Sequence, residues 1–129
     1  MRVQDIMSTK VQTIWPSQDA NDAINEMRSL RIHHLVVVEE KRVIGVISER
    51  DLHSRERTKT PTTVRELMTP QVVTVTPSTT VRQTANMLRG RSIGCLPVMV
   101  GGRLKGIVTV SDLLELVGRG APRASLEAH

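Results

Sequence analysis

GVISERD, at Gly45–Asp51, is one of two copies of the same short pattern, and the second copy is GIVTVSD at Gly106–Asp112. In each copy an apolar run ends on a hydroxyl-bearing residue, and an aspartate follows three residues later. A shift of 61 residues superimposes the two copies. One pattern repeated at a fixed spacing predicts an internal duplication.

The same shift aligns nearly the whole chain without a gap. Identical residues then fall together throughout, among them Val3 with Val64, Met7 with Met68, Thr13 with Thr74, Asn25 with Asn86 and Arg28 with Arg89. We therefore predict a first repeat at residues 1–54 and a second at 64–118. The polar stretch 55–63, which lacks apolar periodicity, is predicted to be a linker, and the tail 119–129 to be disordered.

Each repeat is predicted to begin with a short strand and an amphipathic helix. VQTIWPS and VVTVTPS are β-rich segments that a proline stops. Ser17 and Ser78 then stand where helix N-caps are expected. Mostly apolar residues recur after them with the i, i+3, i+4, i+7 spacing of a helix face, at Ala20, Ala23, Ile24 and Met27 and at Val81, Thr84, Ala85 and Leu88.

A hairpin and a second helix follow in each repeat. LVVVEE with RVIGVIS, and LPVMVGG with RLKGIVT, are apolar runs joined by brief polar or glycine turns. Runs so continuously apolar are typical of strands buried on both faces. Helical spacing restarts at Glu49 and at Val110, directly after the hydroxyl-bearing residue of each pattern.

The composition limits the classes of function. The net charge of +5 comes from scattered Lys and Arg, and Phe and Tyr are absent, so only Trp15 offers a ring for stacking on single-stranded nucleic acid. This argues against polynucleotide binding. The single Cys95 can form no internal disulfide, and no apolar run reaches the roughly 18 residues of a membrane span. We therefore expect a cytoplasmic protein with no membrane partner.

The repeated turn has chemistry that suits a nucleotide. Asp51 and Asp112 follow a strand end, where an ionised carboxylate can accept hydrogen bonds from two adjacent hydroxyls of a ribose. Ser48 and Thr109 add hydroxyl groups, and the free N–H groups of a helix start favour a phosphate. Apolar strand residues can flank a base.

The same turn has a purely structural interpretation. A serine or threonine followed three residues later by an acid is a common signal for the beginning of a helix, with the hydroxyl as N-cap and the acid in the first turn. The spacing of Ser48–Asp51 and Thr109–Asp112 fits this capping signal equally well. The residues alone leave both interpretations open.

The order of motifs resembles a known family. VQDIM, TIWP, a helix, HHLVVV and GVISERDL, followed by VRELM, TVTP, a helix, CLPVMV and GIVTVSDLL, resemble a tandem pair of CBS (cystathionine β-synthase) domains, a Bateman module, over about Val3 to Val117. The resemblance implies an α+β fold in which two β-α-β-β-α repeats pack as a pseudo-two-fold pair. It also implies a non-enzymatic regulatory protein, often a homodimer, that binds AMP first of all, or ADP, ATP, NAD or S-adenosylmethionine, in clefts between paired repeats, and signals energy or redox state to a downstream protein.

The resemblance also assigns residues to two ligand sites. It makes Asp51 and Asp112 the ribose holders, with Arg50 a phosphate contact or a solvent-facing residue and Trp15 an adenine-stacking or packing residue. The first site is expected to comprise His34, Val46, Ser48, Arg50 and Asp51, with Thr76, Val81 and Ile93 from the partner repeat. The second is expected to comprise Ile107, Thr109 and Asp112, with Trp15, Ala20 and Ile32 from the partner repeat. Because Cys95 stands where the first repeat has His34, the two sites should differ.

Other constellations favour no chemistry. His33 and His34 are adjacent strand residues that point to opposite faces, so they are not expected to share a metal. No nucleophile motif or glycine-rich phosphate loop accompanies the serines or Cys95, and we predict no enzymatic activity. The alternative to a ligand sensor is a structural dimerisation module whose clefts are closed by side chains such as Trp15.

Overall fold

The computed structural model describes residues 1–53, 62–70, 72–91 and 93–119. Most of the predicted linker and tail lies outside these ranges. The fold is α+β, as predicted. Its strands are β1 Thr13–Ile14, β2 His34–Glu39, β3 Arg42–Ser48, β4 Thr69–Pro70, β5 Cys95–Val100 and β6 Arg103–Thr109, and its helices are α1 Ala20–Leu30, α2 Glu49–His53, α3 Val64–Leu67, α4 Val81–Arg91 and α5 Val110–Gly118, after a short 3-10 turn at Val3–Asp5.

The chain forms two compact units whose boundaries differ from those of the sequence repeats. The central unit is Gln12–Val72. The terminal unit combines Met1–Val11 with Val73–His129. The first eleven residues thus belong with the second repeat, and the residues just after the predicted linker belong with the first.

The central unit is built on a four-stranded sheet of order β1-β2-β3-β4. β1 runs parallel to β2, while β2–β3 and β3–β4 are antiparallel. The hairpin pairs His34 with Ser48, and its register shifts once, after Val37, because Ile44 is an extra residue in β3. This pairing places the end of β3, and hence the start of α2, beside the beginning of β2.

The terminal unit repeats this arrangement residue by residue. β5 and β6 pair from Cys95 opposite Thr109, with the same shift after Val98. Isolated bridges flank the hairpin, Val75 parallel to Val98 and Ser8 antiparallel to Ile107. Shifted by 61 residues, these are the contacts of Ile14 with Val37 and of Thr69 with Val46 in the central unit. In both units, the segment that borders the second strand of the hairpin (β3 or β6) therefore comes from the other sequence repeat.

A close backbone approach explains the glycine at the same place in β3 and β6. A Cβ at Gly45 would lie 2.8 Å from the carbonyl oxygen of Thr69, and one at Gly106 would lie 2.8 Å from that of Ser8. Real Cβ atoms essentially never come so close to an oxygen. A side chain in place of either glycine would force the bordering segment to shift away from the sheet.

Each unit has its own hydrophobic core beneath one face of its sheet. In the central unit, Leu35, Val37 and Ile47 pack with the apolar face of α1, and Leu96, Val98 and Val108 do the same in the terminal unit with Leu88 of α4. The neighbouring strand residues Val36 and Val46 are buried as well, so the strands are buried on both faces, as their continuous apolar runs predict. Among the described helices none is long and apolar enough to cross a membrane.

The N-caps of the first helix in each repeat are two residues later than predicted. Asp19, not Ser17, caps α1 by accepting a hydrogen bond from the Asn21 N–H at 2.7 Å. Thr80, not Ser78, accepts the Gln83 N–H at 3.1 Å, and the Gln83 side chain accepts the Thr80 N–H in return. The prolines leave a turn, not a helix, at the two serines, and the cap forms only where the helix begins.

Candidate ligand-binding site

The first candidate turn, Ser48–Asp51, joins β3 to α2. One oxygen of the Asp51 carboxylate, Oδ2, accepts the Ser48 N–H at 2.8 Å and the Ser48 hydroxyl at 3.0 Å. In return the Ser48 Oγ accepts the Asp51 N–H at 3.3 Å. Both side chains are half-buried. The carboxylate is thus held in one orientation by its own backbone turn.

The second candidate turn, Thr109–Asp112, joins β6 to α5 with the same geometry. Asp112 Oδ2 accepts the Thr109 N–H at 2.8 Å, and Thr109 Oγ1 accepts the Asp112 N–H at 3.2 Å. Within the described ranges, Asp112 Oδ1 accepts no hydrogen bond, and the Thr109 hydroxyl proton has no acceptor. Ser48, by contrast, gives its hydroxyl proton to Asp51.

The capping interpretation of both turns is therefore confirmed. In Asp112 the cap leaves Oδ1 without a donor among the described residues, and an ionised carboxyl group offers about four lone-pair sites. Only Oδ2 is engaged in the bonds of the capping box. The cap fixes the direction of each carboxylate before a ligand arrives, which is how a binding group is preorganised.

The residue opposite each turn differs between the two units. His34 lies directly across the hairpin from Ser48, so the two side chains share one face of the sheet with Cβ atoms about 5 Å apart. Cys95 occupies the same place opposite Thr109 and is fully buried. The first turn therefore has an imidazole beside it, and the second has a small apolar thiol.

Apolar side chains continue the same face of each sheet. Val46 precedes Ser48 by two residues and Ile107 precedes Thr109 by two, so each side chain lies on the face of its hydroxyl residue. Both are at least nine-tenths buried. Arg50 is exposed at the start of α2.

Comparison with known proteins identifies the chain. Its sequence matches the CBS domain twice, at residues 3–56 and 64–119. The chain belongs to the CBS-domain family. The two matches make it a tandem CBS pair, as its motifs suggested.

Curated relatives share this module in different contexts. An uncharacterised 33.4 kDa protein in the ribosomal RNA operon of Thermofilum pendens is 34% identical over 82% of this chain, which spans only 36% of that protein. An uncharacterised 17.7 kDa protein of Acidianus ambivalens is 30% identical over 99% of this chain and 75% of its own length. The CBS domain-containing protein YhcV of Bacillus subtilis is 28% identical over 86% of this chain and 81% of its own length.

Solved CBS pairs have the same fold. The CBS pair of protein MJ0100, in complex with 5′-methylthioadenosine and S-adenosyl-L-methionine, matches with a TM-score of 0.86 and 27% identity over 93% of this chain and 98% of its own. CBSX2 in complex with AMP matches with a TM-score of 0.79 and 25% identity over 94% of this chain and 98% of its own. CBS pairs of this architecture thus include binders of adenine-containing ligands.

The remaining residues expected at the two sites are spread over their units. Trp15 directly follows β1, whose last residue, Ile14, pairs with Val37 in the middle of β2. Ile32 lies just before the start of β2. Ala20 begins α1 and Ile32 follows its end, so a helix about 16 Å long separates them. The assignment of Trp15, Ala20 and Ile32 to one ligand site therefore stays a prediction.

The equivalent residues of the terminal unit behave in the same way. Thr76 follows Val75, which bridges Val98, whereas Ile93 precedes β5. Val81 begins α4 and Ile93 follows its end. Thr76 is exposed and Val81 is buried. Thr76, Val81 and Ile93 thus lie at separate places of the terminal unit, and their assignment to one ligand site stays a prediction.

A cavity beside Asp112 contains residues that the sequence did not point to. It has a volume of about 520 Å³ in the terminal unit, and Met1, Asp5 and Ile6 line it together with Glu115, Leu116 and Arg119 of the α5 end. Arg119 forms an ion pair with Glu115. The first three residues could not be found from sequence, because they come from the chain start, which the sequence groups with the other repeat.

Proposed function

We propose that this CBS pair is a regulatory protein that binds an adenine-containing ligand and signals through the arrangement that binding favours. The observation that carries the proposal is the duplicated turn, in which each aspartate is fixed through Oδ2. The ligands found on MJ0100 and CBSX2 support an adenine nucleoside or nucleotide, and AMP is our first candidate. ADP, ATP, NAD and S-adenosylmethionine share its adenosine part.

The ribose is the part of the ligand that the turns suit best. Its two neighbouring hydroxyls are donors, and Asp51 and Asp112 are acceptors whose orientation is already set. Because the orientation is fixed before binding, little side-chain entropy is lost when the sugar docks. Each charge-assisted hydrogen bond contributes roughly 1.5–3 kcal/mol, or about ten- to hundredfold in affinity.

The two turns should bind with different affinities. His34 beside Ser48 can donate a hydrogen bond to a phosphate, whereas Cys95 beside Thr109 offers only a weak donor. We expect a phosphorylated ligand to prefer the Asp51 turn. An uncharged nucleoside should discriminate less between the turns.

Signalling requires that the ligand bind one arrangement of the protein more tightly than another, which is a coupling free energy. Energy or redox sensing is the proposed readout, because AMP, ATP and NAD report those states. A homodimer is the proposed assembly. It is supported by the exposed apolar face of α5, where Val110, Leu114 and Val117 are 40%, 66% and 59% exposed.

Calorimetry with AMP tests the binding proposal. Asp51→Ala and Asp112→Ala should each weaken one binding event about ten- to hundredfold. Asp22→Ala, which removes an exposed acid in the first turn of α1, is the matched control and should leave both events unchanged. Unaltered AMP affinity in both site variants would contradict the assignment of Asp51 and Asp112 as ligand-binding residues.

A structural module with closed clefts is the competing function. Trp15 was the side chain expected to close a cleft, but it is 66% exposed in this chain. A thermal-shift panel separates the two functions, since ligands that bind the native state raise Tm. Stabilisation by adenine nucleotides and not by other bases supports the sensor, and a flat panel supports the module.

A further inference from the structure

A cavity of about 310 Å³ lies in the central unit, between α1 and α2, and contains neither Ser48, Asp51 nor His34. Its floor is aliphatic and consists of Ile24, Met27, Ile32 and Leu52. Met27 and Leu52 are 4% and 2% exposed. The volume is at the lower end of the range for ligand pockets. A floor without aromatic rings suits a short aliphatic chain better than a flat base.

The rim of this cavity is rich in basic side chains. It consists of Arg28, Arg31, His33, Glu49 and His53. Glu49 is the only carboxylate among the lining residues, and it is already engaged. Its Oε2 lies 2.6 Å from His33 Nδ1, and its Oε1 lies 3.6 Å from His53 Nε2.

The two arginines, in contrast, have no carboxylate partner in the described parts of the chain. Glu49 already pairs with the two histidines. Its hydrogen bond with His33, and to a smaller extent that with His53, lowers the pKa of its carboxyl group. Arg28 and Arg31 therefore present two exposed guanidinium groups above an apolar floor. Guanidinium groups pair with carboxylates and phosphates through paired N–H donors.

The backbone at Arg31 is left-handed, with φ of 55°. It is the C-cap of α1, and its N–H bonds to the Arg28 carbonyl. Glycine suits this conformation best, and any side chain there is strained. Arg31 thus places a guanidinium on the rim at a position where the backbone itself would favour a residue with no side chain.

The charged rim of the pocket is made of residues that the first repeat does not share with the second. Under the shift of 61 residues, His33, Glu49 and His53 correspond to Gly94, Val110 and Leu114. The second repeat therefore lacks the charged rim, although it keeps Arg89 at the place of Arg28. The charged rim is therefore separate from the two equivalent turns at Asp51 and Asp112, which occur in both repeats.

We propose that this pocket is a second ligand site, which binds a small aliphatic anion, with the carbon chain on the floor and a carboxylate or phosphate head between Arg28 and Arg31. The charge of the rim and the apolar floor complement such a molecule. The site is independent of the adenine ligand proposed above.

NMR titration of the full chain with sodium hexanoate, hexyl phosphate and hexylamine tests the proposal. The two anions should give saturable amide shifts around Arg31 and Leu52, and the relative affinities of the two separate a carboxylate site from a phosphate site. Hexylamine, with the same chain and opposite charge, should give none. The variant R28Q/R31Q should weaken anion binding at least about tenfold.

Arg89→Gln is the matched control, because it removes the equivalent charge from the second repeat and should leave anion binding unchanged. Circular dichroism of each variant establishes that it is folded. Three results would overturn the proposal: no saturable shift with either anion, equal binding to R28Q/R31Q, or shifts of the same amides with protein concentration alone, which would mean that a second copy of the chain covers the pocket.

Discussion

Replacement of Gly45 by alanine tests whether the bordering segment is held against the sheet as described. The new Cβ would lie 2.6 Å from the Met68 Sδ and 2.8 Å from the Thr69 carbonyl oxygen. The methionine can swing aside, because its side chain is flexible. The carbonyl cannot, because Thr69 and Pro70 pair with Val46 and Gly45 of β3.

The expected cost follows from these distances. Ordinary contacts of a Cβ begin at 3.4 Å, so the Thr69 carbonyl must withdraw by about 0.6 Å. Overpacking of this kind lowers the free energy of unfolding by about 1–3 kcal/mol. Alanine also reduces the conformational entropy of the unfolded chain, which offsets up to about 1 kcal/mol of this loss. The net loss of about 1–2 kcal/mol lowers Tm by roughly 3–10 °C.

Urea denaturation at constant m-value measures this loss, and the chain supplies its own controls. Gly106→Ala should show the same sign, since its Cβ would meet the Ser8 carbonyl oxygen at 2.8 Å. Gly90→Ala in α4 meets nothing within 4 Å and should stabilise by about 0.5–1 kcal/mol. If Gly45→Ala were as stable as the natural protein while Gly90→Ala behaved as expected, the close approach of Thr69 would be refuted.

Three further substitutions have defined outcomes. Thr109→Ala removes the N-cap of α5 and should lower the free energy of unfolding by about 1 kcal/mol in urea, while Thr109→Ser should retain it; equal losses would contradict the capping bond. Lys41→Gly should raise stability by about 1 kcal/mol, because φ is 64° at this hairpin turn; no gain in Tm would count against this strain. The pKa of Glu49 is lowered from 4.5, chiefly by its hydrogen bond with His33, so its contribution is present above about pH 4.5 and lost as the pH falls through the folded pKa. The urea midpoint of the natural protein should therefore exceed that of Glu49→Gln at pH 6 and approach it at pH 3, and a gap independent of pH would show that the charge is not responsible.

Local sequence signals predicted the hairpin of each unit and the helices on either side of it, but not α3 or β4. The apolar spacing from Ala20 to Met27 identified α1, and the runs around Leu35 and Ile47 identified the central hairpin. Each depends on residues that are neighbours in the chain or on one face of one element. The turn at Asp51 was predicted for the same reason, since its hydrogen bonds span three residues.

Non-local contacts were not predicted. Ser8 forms an isolated bridge with Ile107, and Thr69 pairs with Val46 in a strand of only two residues. Segments this short have no periodic sequence pattern that would predict their pairing. The repeat revealed that the halves are alike, but not which half each border segment would join. The cavity rim was missed in the same way, because His33 is brought to Glu49 only by the folded hairpin.

The central claim, that the fixed aspartates hold a ribose, is tested most directly by comparing AMP with 2′,3′-dideoxy-AMP in calorimetric titrations. Asp51→Asn/Asp112→Asn provides the comparison protein, because the asparagine side-chain oxygen can still accept the backbone N–H of Ser48 or Thr109 but carries no charge. For the natural protein, we expect the dideoxy analogue to bind at least about tenfold more weakly than AMP. For the variant, the two ligands should bind almost equally. Equal binding of both ligands to the natural protein, or the same discrimination in the variant, would contradict the claim.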